Sequence, residues 1–225
     1  MMRIVIPENE ELFGRGASSF DAFFYIQSWL KVLTRDFPCR FHFGVINDIE
    51  SMEASFIYGI IKNFSSVYML ATQNNDYAAV ATLIRAIVDR IVILKLIYAN
   101  NDILEREYRY YLYILDGMKK RSDLLMDKIE YNGNISEAEY SALSKQIQKA
   151  KLNTEQVISF CTQQLNQHVY AKMNPKFHQA VLKNTNWQYK EVGKLGNKDK
   201  VAKYKWEDLY LFIDDRKTLV STKKS

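Results

Sequence analysis

The run from Asp76 to Asn100, DYAAVATLIRAIVDRIVILKLIYAN, constrains the fold more than any other part of the chain. It is apolar nearly all round yet carries Arg85, Asp89, Arg90 and Lys95, and a helix of that kind has to be enclosed by others. No proline occurs between Cys39 and Asn174. Long helices can therefore surround it without interruption, and period-two alternation is hard to find in the same span. With only 8 Gly and 3 Pro in 225 residues, the expectation is an all-α fold, a helical bundle of five to seven helices with long antiparallel core helices. The organisation expected is an N-terminal extension over 1–17, the bundle over 18–183, and a basic loop with a docked C-terminal helix over 184–225.

The spacing predicts a first helix opening at Ser18 or Ser19 and stopped by Pro38, with Phe20, Phe23, Phe24, Leu30 and Leu33 on its buried side. Asn47 and Glu50 are spaced as a capping pair ahead of a second helix that runs to Tyr68. Asn74 and Asn75 break the pattern before the central helix. Asp102 and Glu105 open a tyrosine-rich helix with a stripe at Leu104, Tyr108, Tyr111, Leu112, Leu115, Met118, Leu125 and Ile129. Ser136 to Glu139 reads as a capping box for a further helix, either continuous through Asn153 or restarted there. A short helix is expected over 176–183, and a last one from Trp206 carrying Leu209, Tyr210, Ile213 and Lys217.

Charge is uneven. Residues 172–225 hold 13 Lys/Arg against 6 Asp/Glu, whereas residues 1–171 hold 18 against 20. Between Lys183 and Lys205, seven lysines, among them Lys190, Lys194, Lys203 and Lys205, face only Glu191 and Asp199 and are interleaved with Trp187, Tyr189, Tyr204 and then Trp206. Such a mixture can hold phosphates and stack bases; it also reads as a solvated lysine-rich loop. The N-terminus has an apolar run of only Ile4 to Ile6 before Pro7, so no signal peptide and a cytoplasmic location are expected. Four ionisable side chains within residues 77–99 argue against a membrane span.

Three histidines, His42, His168 and His178, and two cysteines, Cys39 and Cys161, offer no complete metal motif. Tetrahedral zinc needs four ligands, and Cys39 with His42 supplies two. No metal or cofactor is expected, and no Gly-rich phosphate loop or nucleophile elbow is present. Arg85 and Asp89 stand four apart on one helix face and read as a pair in a dry segment, either fixing helix register or presenting Arg85 to a phosphate or carboxylate.

The segments LIRAIVDRIVILKLIYAN and YRYYLYILDGMKKRSDLL, spanning much of residues 47–130, together with weaker stretches near Trp187 and 204–211, resemble an uncharacterised bacterial all-helical family distantly similar to HEPN domains. In that family an Arg precedes an acidic residue by four on a central helix, which Arg85 and Asp89 reproduce. The resemblance implies a helical bundle. Catalytic HEPN domains are ribonucleases with an R-x(4 to 6)-H motif late in the bundle, and here no histidine follows His178. The one literal match is Arg35 to His42, RDFPCRFH, where Pro38 prevents an uninterrupted helix; His42 could act as general base only if folding set it beside Arg35.

The functional expectation is a non-catalytic HEPN-like binding module for RNA or a partner protein, with Arg85, Asp89, Arg90, Lys190, Lys194, Lys203, Lys205, Trp187 and Trp206 as binding residues. Two alternatives stand beside it. One is a metal-independent ribonuclease of toxin or phage-defence type using Arg35 and His42, and the other is a structural module whose tyrosine-rich helix pairs in a homodimer.

Overall fold

A computed structural model describes residues 19–42, 45–99, 102–125, 131, 133–191 and 201–210. The extension 1–17, Lys194, Ile129 and the last helix beyond Tyr210 lie outside the described residues, as do the side chains of Phe20, Phe23 and Leu33. The architecture is all-α, and the core helices pack on one another. Contacts gather the chain into two compact units, residues 1–95 and 96–225, so the boundary read at Lys183 falls inside the second unit.

In the first unit, α1 (Ser19–Thr34) is followed by the short α2 (Phe37–Arg40), then α3 (Ile49–Met69) and α4 (Tyr77–Ile93). Pro38 does not stop α1. It sits in the first turn of α2, where a missing N–H costs nothing. The cap of α3 is Asp48 rather than Asn47: its carboxylate accepts from the Ser51 N–H at 2.9 Å and from the Ser51 hydroxyl at 2.6 Å, bonds that hold its pKa below the usual carboxylate value. A π-helical turn over Leu70–Asn74 ends at Asn75, whose φ of 54° takes the left-handed conformation that asparagine tolerates. Asp76 then caps α4 through the Ala79 N–H at 3.0 Å. The resulting antiparallel pair buries Ile60, Val67 and Ile87, with Phe64, Val80, Leu83, Ile91 and Leu94 packed around them.

Two expectations fail here. The central rod is not enclosed on every side: Tyr77 is 68% exposed, and Ile84 and Arg85 on the same helical face are exposed too. Arg85 consequently needs no buried partner and forms no ion pair with Asp89. In α1, Gln27 and Thr34 are buried whereas Tyr25, Trp29 and Val32 face outward, and Phe24 is 51% exposed, its ring 5.7 Å from that of Tyr68. Arg90 instead lies across α3 at Gly59, where a Cβ would stand 3.0 Å from its Nη1; glycine makes the room for that guanidinium.

In the second unit, Leu96, Ile97 and Tyr98, on a π-helical turn over Leu94–Tyr98, are buried. Asp102 caps α5 (Ile103–Leu124) through the N–H groups of Leu104 and Glu105. α6 (Glu137–Gln167) opens on the expected Ser136/Glu139 capping box and runs unbroken through Asn153 for 31 residues. It lies antiparallel to α5, as the Tyr111–Phe160 and Tyr108–His168 ring contacts show. Leu112, Leu115, Cys161 and Leu165 fill the contact, while Leu104, expected in the stripe, is exposed. Two short helices, α7 (Val169–Met173) and α8 (Pro175–Ala180), turn the chain back. The 183–205 region is not simply a loop: Asn186–Gln188 forms a 3-10 turn, and β1 (Tyr189–Glu191) pairs antiparallel with β2 (Val201–Lys203) before α9 (Trp206–Tyr210). Among the described residues no helix is long and apolar enough to cross a membrane.

Candidate functional site

The densest chemistry of the second unit is a polar and aromatic cluster at the start of α5. The sequence YRYY places Tyr108, Arg109, Tyr110 and Tyr111 on consecutive positions, and all four are buried. A helix can bury four consecutive residues only where partners cover it on several sides, and here α6, α7, α8 and the segment 186–189 supply them.

Arg109 is 4% exposed, and all three of its guanidinium nitrogens are engaged. Its Nε and Nη2 donate to Glu105 Oε1 at 2.8 and 2.6 Å, and its Nη1 donates to the main-chain oxygens of Trp187 at 3.0 Å and Tyr189 at 2.9 Å. The guanidinium plane also stacks 3.7 Å from the centre of the Tyr189 ring, an arrangement that exploits both the fork and the flat face of arginine. Seven positions on, the Asp116 carboxylate accepts from Asn186 Nδ2 at 2.9 Å, Trp187 Nε1 at 3.2 Å and Lys120 Nζ at 2.8 Å. α5 thus fastens the 186–189 strap at two points.

Beside this lies a relay of buried groups. The Tyr108 hydroxyl meets His178 Nδ1 at 2.8 Å, and His178 Nε2 meets Asn166 Oδ1 at 3.3 Å. Since an amide oxygen only accepts, His178 carries its proton on Nε2 and Tyr108 donates to Nδ1. Burial, followed by the neighbouring His168, keeps the His178 pKa below its ordinary value. His168 uses Nδ1 to accept the Tyr170 N–H at 3.2 Å, capping α7. Its Nε2 is buried and makes no well-formed hydrogen bond among the described residues, the Leu104 carbonyl being near enough only to pull on it; burial depresses its pKa against that pull and those of Glu107 and Asp102. Burial also pushes the phenols of Tyr108 and Tyr189 well above their ordinary value. Both imidazoles are neutral acceptors of hydrogen bonds and both phenols stay protonated, so the charges at the cluster are carried by the Glu105–Arg109 pair and by carboxylates at its edge such as Asp102, which accepts from the Tyr170 hydroxyl at 3.0 Å.

The residues singled out from sequence scatter. Arg35 is exposed beside Asp36 at 3.3 Å, and the exposed His42 uses its main-chain N–H to bond Ser51 Oγ at 3.0 Å. Arg85 is exposed on α4, and Asp89 and Arg90 are half-buried. Trp187 is buried in the strap, edge-on to Tyr113 at 5.3 Å, and so is not free to stack on a base; Trp206 packs edge-on to it at 6.3 Å and stays 42% exposed. Lys190, Lys203 and Lys205 point to solvent, Lys190 with its Nζ 5.4 Å from the centre of the Tyr204 ring. Sequence reasoning missed Arg109, His168 and His178. For Arg109 a signal existed: Glu105 and Arg109 have the same four-residue spacing as Arg85 and Asp89, within a more aromatic run.

No protein-family model, curated protein or solved structure matches this chain.

Proposed function

We propose that this chain is a non-catalytic, HEPN-like helical binding module of the cytoplasm whose ligand is RNA, bound through the exposed Lys190, Lys203, Lys205 and Trp206. One observation carries the reading: the groups equipped for acid–base chemistry in the second unit, Tyr108, His168 and His178, are buried and neutral, Tyr108 and His178 bonded to one another and His168 capping α7. Chemistry by such a set needs access to a substrate. What the same strap turns outward is Lys190, Lys203 and Lys205 beside the partly exposed Trp206, which suits phosphate contacts and a single stacked base.

The test is binding of a labelled single-stranded RNA across a salt series. Affinity falls steeply with salt and the slope flattens when Lys190, Lys203 and Lys205 are replaced by Gln. A salt-independent affinity, or no binding at all, removes the RNA assignment, and RNA cleavage lost on His42→Ala restores the ribonuclease reading. A second reading, the oligomerisation module, loses the tyrosine-rich helix as its contact, since Tyr108, Tyr110 and Tyr111 are buried within the chain, and is favoured instead by the outward Tyr25, Trp29 and Val32 stripe of α1; light scattering over a hundredfold range of concentration decides it, since a constant monomer mass rules it out.

A further inference from the structure

Where α1 meets α3 in the first unit, a half-open cleft of about 200 Å3 is lined by Lys31, Thr34, Arg35, Tyr58, Ile61, Lys62 and Ser65. The lining follows from helical periodicity: 31 and 34 share one face at the end of α1, Arg35 follows in the turn just beyond it, and 58, 61, 62 and 65 share one face of α3. Three of the seven side chains are cations and none is an acid. Lys31 makes no hydrogen bond or ion pair to a described residue, and the Lys62 ammonium only rests 4.7 Å from the centre of the Tyr58 ring. Arg35 spends Nε on Asp36 at 3.3 Å, an exposed carboxylate that it shares with Arg40 at 3.8 Å, and its two Nη groups stay uncommitted among the described residues. Thr34 and Ser65 donate their hydroxyls back to the Leu30 and Ile61 carbonyls at 2.7 and 3.2 Å, so recognition of a charged ligand falls to the three cations.

Three like charges around one hollow repel each other unless an anion joins them. The geometry points to a binding site for a phosphate monoester, gripped by the Arg35 Nη fork and the Lys31 and Lys62 ammonium groups. The volume falls short of the several hundred Å3 typical of pockets that enclose a whole cofactor, which fits a terminal phosphate entering end-on. A monoester carries nearly two negative charges at neutral pH and three exposed oxygens, so it answers three cations better than the single charge of a phosphodiester. The site does not depend on the RNA reading of the second unit: it belongs to the first unit and uses different residues.

The experiment is isothermal titration of the full chain at pH 8 with inorganic phosphate, and in parallel with dimethyl phosphate as the singly charged diester. Inorganic phosphate binds, and dimethyl phosphate binds about tenfold more weakly or not at all. Arg35→Gln, Lys31→Gln and Lys62→Gln, all at exposed positions and so harmless to folding, each weaken phosphate about tenfold. Asp36→Asn acts in the opposite direction, tightening binding by releasing Arg35 from its competitor. A 5′-phosphorylated short RNA compared with its 5′-hydroxyl counterpart separates a terminal phosphate on RNA from free phosphate as the source. Absence of phosphate binding, equal affinity for the diester, or indifference to all three cation variants overturns the proposal. Phosphate binding without salt-dependent RNA binding leaves this site standing while refuting the RNA assignment.

Discussion

Replacing Arg109 by Leu tests how the second unit is held together. The side chains of Arg109 and Glu105 are 5% and 19% exposed, so the pair is a buried one, and removing one member leaves a carboxylate short of its counter-charge in a poorly solvated place. Breaking such a pair costs about 3–5 kcal/mol. The Trp187 and Tyr189 carbonyls lose their donors in the same step, while leucine returns some apolar contact with the Tyr189 ring. We expect a loss of about 4 kcal/mol, against a total of about 5–15 kcal/mol for a typical domain. Arg109→Lys keeps the charge but cannot reach one carboxylate and two carbonyls together while lying flat on a ring, and it loses about 2 kcal/mol. The double variant Glu105→Gln/Arg109→Leu exchanges the stranded carboxylate for a neutral amide and regains at least about 1 kcal/mol over Arg109→Leu. Urea unfolding followed by tryptophan fluorescence and by far-ultraviolet circular dichroism measures all four proteins, Trp187 reporting from within the strap. A loss for Arg109→Leu below about 1 kcal/mol, or a double variant no more stable than the single one, refutes the claim that a buried ion pair fastens the strap.

His168 and His178 both have pKa values depressed below 6.5 in the folded chain. The unfolded chain therefore binds more protons over the interval beneath 6.5, and the urea midpoint drops as pH falls through that value toward the folded ones; replacing both by Gln flattens the curve, and an unchanged slope contradicts the assignment of these two groups as its source. Of the two thiols, Cys39 is exposed and Cys161 is buried with its pKa pushed up to about 11, so a disulfide reagent titrates one thiol at once and the second only in denaturant. Two fast equivalents in the native protein would show that the contact between α5 and α6 is open. Ser136→Ala removes the reciprocal cap of α6 and lowers stability by about 1 kcal/mol in the same urea assay. An effect indistinguishable from zero there means that the first turn of α6 frays without cost.

Much of the helical layout could be read from residue spacing because its signals are local. The Ser136/Glu139 box and the Asp102 cap depend on side chains within three residues of the groups they satisfy, and the Asn75 break on that residue's own tolerance of a left-handed φ. Apart from the α3 cap, which falls on Asp48 rather than Asn47, the place of Pro38 and the β1–β2 pairing, the failures are matters of which face meets which neighbour. The periodicity of α1 and α4 reveals that apolar residues share a side but not that Tyr25, Trp29 and Tyr77 face outward. The Arg85–Asp89 pairing failed for the same reason: four-residue spacing permits an ion pair, whereas burial decides whether one is needed. At the candidate site, Arg109 bonds Glu105 four residues away and also Trp187 and Tyr189, 78 and 80 residues distant. Only the first half of that set leaves a trace in the sequence. The cleft at Lys31, Arg35 and Lys62 was out of reach because its two walls come from separate helices.

Arg109 grips the strap by its main-chain oxygens at Trp187 and Tyr189. Every amino acid carries such an oxygen, so these two bonds do not depend on side-chain identity, whereas the Tyr189 ring under the guanidinium and the Trp187 Nε1–H given to Asp116 do. The outer surface of the hairpin can accumulate substitutions, exchanging lysines for other groups, without loosening its seat on α5. Change on that face leaves the supporting helices untouched.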